Sequence, residues 1–163
     1  MKVSNLMIVL IALVLYGCNN KPNNLSKELN NEEQMEIKAI MSISNKDGLS
    51  MLQTNCFSCH NPNSESHDNM LAPPLAGIKY KYKKLYKTEE LFIAQMSDFI
   101  DKPTKENAVM KGPVRRFGLM PKTTLSKTEI QELVKYIYHT ELAIPAWFSE
   151  HFEEEHNIKW EER

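Results

Sequence analysis

The sequence predicts an all-α domain, on three observations. Phe92, Met96, Phe99 and Ile100 fall at i, i+4, i+7 and i+8, one apolar stripe of a helix. Ile130, Leu133, Val134, Ile137 and Tyr138 form a second stripe of the same period. No stretch sustains the apolar–polar alternation of a half-buried strand. The 163 residues suit one domain of ordinary size. Twenty basic residues against 21 acidic ones give no general case for a nucleic-acid or strongly acidic partner.

Residues 1–17 have the pattern of an export signal. Lys2 is the positive start, and the apolar run Leu6–Tyr16 is too short to span a bilayer but suits a signal core. The run ends Leu15-Tyr16-Gly17-Cys18, which resembles the bacterial lipobox, with Tyr16 bulkier than that pattern prefers. The resemblance implies lipidation at Cys18 and a membrane-anchored lipoprotein facing the periplasm. A plain secretory signal with a chance cysteine is the alternative. Residues 18–43 then form a tether: the Asn-rich stretch buries too little apolar surface to offset its ordering entropy, with helical tendency emerging near Glu32–Ile43.

A domain is expected over 44–142. Its first helix starts near Asp47 and runs into Cys56-Phe57-Ser58-Cys59-His60. Two thiols at this spacing can add to the two vinyl groups of one porphyrin, and the histidine after them can be the fifth ligand of its iron. This points to one covalent haem c held by Cys56, Cys59 and His60. A redox dithiol would want a βαβ setting, and a zinc site needs further soft ligands that the chain does not supply. Cysteine usage agrees with haem, since lipid and thioether bonds consume Cys18, Cys56 and Cys59.

Around this motif the chain resembles the class I cytochromes c. Gly48 stands eight residues before the first haem cysteine, and Leu52 stands four after the glycine, as in that family. There the glycine lets the first helix cross closely over the last. Ala72-Pro73-Pro74-Leu75 resembles the family's Gly-Pro-x-Leu, with Ala72 in place of glycine. This implies that the Pro73 carbonyl orients the axial histidine. Met120-Pro121, shortly before the last helix, matches the methionine that closes the iron's sixth position. The implied metal ligands are therefore His60 and Met120, with Met110, Met70 and Met96 as rivals and His67 and His139 as conceivable ligands.

The remaining helix signals are local. Thr88 is the expected cap of the first stripe, with Glu89 and Glu90 in the first turn and a stop before Pro103. Ser126-x-x-Glu129 is a capping box opening the second. Three to five helices are thus expected around the haem. Residues 143–163 form a C-terminal extension broken at Pro145, in which Trp147 and Phe148 either fold back on the domain or dock a partner subunit. From about Glu153 fraying is expected.

Filled axial positions favour electron transfer over chemistry on a bound substrate, so the expected role is an electron carrier and not an enzyme. Two alternatives stay open: a haem enzyme or gas or peroxide sensor with an exchangeable sixth ligand, and a fixed cytochrome subunit of a respiratory complex. Lys79, Lys81, Lys83, Lys84 and Lys87, with Arg115, Arg116 and Lys122, make 79–122 basic, whereas 141–163 is acidic. Such a run is either a solvated face or a surface that steers redox partners with acidic docking faces. Export argues against nucleic acid.

Overall fold

The computed structural model describes Gln34, Met35, Lys38 and residues 47–161. The expected signal peptide, the lipidation site Cys18 and nearly all of the tether lie outside the described residues. In the first of two compact units, residues 1–37, Gln34 and Met35 are helical. The second unit contains everything that follows.

From residue 47 onward the described residues form six helices, and no described residue lies in a strand, so the architecture is all-α. We number them α1 (residues 47–55), α2 (Leu75–Leu85), α3 (Glu89–Asp101), α4 (Lys111–Phe117), α5 (Lys127–His139) and α6 (Phe148–His156). Five fall within 44–142, and α6 belongs to the extension.

α3 and α5 form the main packed pair. The Thr88 hydroxyl accepts from the Leu91 N–H, and the acidic side chains of Glu89 and Glu90 lie where the helix dipole favours them. At Ser126 both halves of the capping box are made, 3.3 Å from the Glu129 N–H to the hydroxyl and 2.7 Å from the Ser126 N–H to the carboxylate. Phe92 and Val134 have no exposed surface, and each such side chain contributes about 1.5–3 kcal/mol by leaving water. Leu52, Tyr82, Met96, Ile130, Leu133 and Ile137 complete the centre of the core.

α2 was not foreseen. It starts after Pro74 with no side-chain cap, and its buried face is Ala76, Lys79 and Tyr82. The lysine on that face disguises the period. Lys79, read from the sequence as part of a charged patch, is 4 % exposed, and its Nζ donates to the Thr140 carbonyl at 2.6 Å. A cation here meets the C-terminal end of α5, where helix carbonyls lack partners. The patch also loses part of Lys83, whose ammonium lies 4.4 Å above the Tyr138 ring.

The extension does not fray from Glu153. α6 runs to His156, where Asn157 ends it in the left-handed region at φ 53°. The Trp160 N–H then donates to Glu153 Oε1 at 3.1 Å.

Candidate functional site

The last turn of α1 continues into the Cys56–His60 segment. The Cys56 and Phe57 N–H groups both donate to the Leu52 carbonyl, and the Cys59 and His60 N–H groups both donate to that of Cys56. This tight winding brings Cys56, Cys59 and His60 to one wall of a cavity of about 380 Å³. That volume lies within the range of small-molecule and cofactor sites.

The His60 ring is held by one bond, from Nδ1 to the Pro73 carbonyl at 2.7 Å. A carbonyl only accepts, so Nδ1 carries the proton and Nε2 keeps its lone pair. Burial pushes the His60 pKa below its ordinary value, partly offset by the Pro73 bond. The ring is therefore neutral at physiological pH, the form that ligates metals. Burial, reinforced by neighbouring Cys59, raises the Cys56 thiol to about 11.

The other walls are apolar. α3 contributes Met96, Phe99 and Ile100, and α5 contributes Leu133 and Ile137. After α4, Gly118 turns the chain at φ 82°, a conformation glycine adopts without strain. The segment Leu119–Thr123 then lines the cavity and includes Met120. The rivals divide: Met110 and Met96 also line the cavity, whereas Met70 does not. Neither His67 nor His139 reaches it; His139 pairs with Glu89 at 2.8 Å, and His67 is held by Arg116.

The lining also includes one phenol, that of Tyr82, which the sequence did not single out as part of the site. Tyr82 is 2 % exposed, and burial keeps its phenol protonated by raising its pKa. Its spacing from Ala76 and Lys79 was the available signal.

This donor set suits a covalently attached haem. Two thiols, one neutral imidazole with a free lone pair and the thioether of Met120 share a cavity whose walls are mostly apolar. Among the described residues no three His, Cys, Asp or Glu side chains are grouped in the manner of a metal-ion site. The absence of strands among them removes the βαβ setting of a redox dithiol.

The cytochrome c family model matches residues 46–141, more than half of the chain. An uncharacterized protein of Aquifex aeolicus (strain VF5) is 34 % identical over 71 residues, covering 42 % of this chain and 47 % of that protein. The chain thus spans about half the length of the curated relative it matches. No solved structure matches the chain. With this family match, on a fold and a cavity that suit it, the chain belongs to the cytochrome c family, whose members carry covalently bound haem c and generally serve as electron carriers.

Proposed function

We propose that this protein is an exported, membrane-tethered single-electron carrier with His60 and Met120 as the axial ligands of one haem c. When bound, the haem supplies a one-electron couple at its iron. Cys56 and Cys59, both of which line the cavity, would hold it through thioether bonds from their sulfurs. His60 offers Nε2 while Pro73 keeps the ring neutral and oriented. Met120, which lines the same cavity, would supply its thioether as the second ligand, and the mostly apolar lining would disfavour the more highly charged ferric state. The observation that carries this reading is the convergence of the thiols, the Pro73-bound imidazole and Met120 on one cavity.

Lipid at Cys18 would keep the domain near a membrane surface, with residues 18–43 as its leash. No helix among the described residues is long and apolar enough to cross a membrane.

The absorption spectrum of the purified protein in both redox states, with and without carbon monoxide, tests the central reading. The expected result is a low-spin haem that stays with the polypeptide after acid extraction, shows the methionine–iron charge-transfer band when oxidised, and binds carbon monoxide only weakly and slowly when reduced. Rapid carbon monoxide binding by the reduced native protein would instead favour the sensor or enzyme.

Lys84, Lys87, Arg115 and Lys122 are exposed and among the basic groups that could steer an acidic partner, and Lys122 lies at the cavity itself. Their exposure means that salt screens them, with a Debye length of about 8 Å at physiological ionic strength. Electron transfer to an acidic acceptor is expected to slow at least about tenfold between low and high salt. A rate unchanged across that range removes the steering role.

A further inference from the structure

The family match ends at residue 141, yet the chain beyond it stays on the domain. α6 is seated on α2. Gly77 has no Cβ, and one added there would lie 3.1 Å from the Phe148 ring. Phe152 meets Tyr80 edge-on at 5.1 Å, and Trp160 closes over Phe148 and Phe152 at 4.8 Å from each.

From this anchor two side chains reach the loop 61–69 that follows the haem motif. The Trp147 indole N–H donates to the Ser64 carbonyl at 3.0 Å, with Ser64 Oγ at 3.2 Å. The His151 ring lies against that of His67, centroids 4.2 Å apart. Arg116, at the end of α4, grips the same loop from another element. Its Nη2 donates to the His67 carbonyl at 3.1 Å and lies 3.4 Å from Asp68 Oδ1, while Nη1 donates to the His67 ring. The loop starts directly after His60 and leads to Pro73. Arg116 sits four residues before Met120. Ser64, His67, Arg116 and Trp147 line no part of the cavity.

We infer that the C-terminal extension is a strap that keeps Met120 in place, by clamping loop 61–69 between Trp147 and Arg116 so that the segments bearing the two axial ligands move together. The strap rests on the proposed Met120 ligation. Trp147 and Arg116 are positioning residues, acting on Met120 through the loop and α4. An external ligand can enter only when Met120 has left, so its apparent affinity scales with the fraction of molecules in that open state. Losing one such hydrogen-bonded clamp is expected to raise that fraction about fivefold.

The test uses the haem-loaded full chain and two probes, carbon monoxide on the reduced form and imidazole on the oxidised form. Trp147→Phe keeps the aromatic packing and removes the donor, and Arg116→Gln removes the guanidinium. Each is expected to bind both probes about fivefold more tightly than the parent, and the double variant less than the product of the two. Ser126→Ala, which weakens the cap of α5 by removing a bond made only to Glu129, is expected to leave both affinities unchanged. Unchanged affinities in both strap variants, alongside a Met120→Ala variant that has lost its charge-transfer band, overturn the strap alone. An equal rise in Ser126→Ala also overturns it, by showing a loss of global stability. A Met120→Ala variant that keeps the band overturns the ligation and the strap with it.

Discussion

Replacing Gly48 with alanine is expected to destabilise the domain by about 1–2 kcal/mol despite alanine's better helix propensity. An added Cβ would overlap Cγ and Cδ2 of Tyr136 and come within 2.8 Å of its Cβ. Turning the tyrosine side chain about its Cα–Cβ bond moves Cγ and Cδ2 away but not Cβ, because a Cβ moves only with its backbone. α1 and α5 must therefore separate. Leu52, one turn along from Gly48 and 1 % exposed, would then lose part of its packing. The cost of such overpacking is typically about 1–3 kcal/mol and sometimes more. The gain from replacing a helical glycine, up to about 1 kcal/mol, offsets only part of it. Because α1 leads directly into Cys56, its displacement also moves the thiols relative to Pro73 and Met120. Urea unfolding of the haem-loaded protein measures the loss. Adding Tyr136→Ala removes the obstructing ring and should return part of the stability. A Gly48→Ala protein as stable as its parent would mean that α1 does not need this close crossing.

What could be read from the sequence depended on whether the responsible chemistry is local. The Cys56–His60 motif and the caps at Thr88 and Ser126 are local, since their residues act within one turn of each other. α2 escaped because it begins at a proline without a capping side chain, and a lysine occupies its buried face. Lys79 is buried only because Thr140, 61 residues away, presents it a carbonyl. α4 is seven residues long and contains Gly112 and Pro113, which read as loop residues. Its signal was the order of those breakers, a proline in the first turn, where its missing N–H costs little, and Gly118 just past the end. α6 lacks a capping side chain and is acidic, and its aromatic face has meaning only against α2. The clamp on loop 61–69 joins residues 49 and 83 positions apart, beyond the reach of any local pattern.

Met120→Ala is expected to abolish the methionine–iron charge-transfer band and to raise the apparent carbon monoxide affinity of the reduced protein by about 100-fold or more. The magnitude follows from occupancy: if Met120 is displaced in about 1 % of molecules or fewer, removing it makes the binding-competent state the main one. Met110→Ala separates the two methionines that flank α4, both of which line the cavity. Met110 is the residue before the first turn of α4, and its carbonyl accepts from the Val114 N–H, so its backbone is committed to opening that helix. Met120 precedes Pro121, which biases it towards an extended backbone and presents its side chain without a helix to accommodate. Met110→Ala should therefore keep the band. Loss of the band in Met110→Ala but not in Met120→Ala would reassign the ligand. Met120→His separates coordination from potential. A second imidazole keeps the iron closed to carbon monoxide, yet it lacks the thioether's preference for the reduced state, so the potential should fall without any gain in carbon monoxide binding. A Met120→His protein with an unchanged potential would mean that the cavity's burial, and not the thioether, sets the driving force for electron transfer.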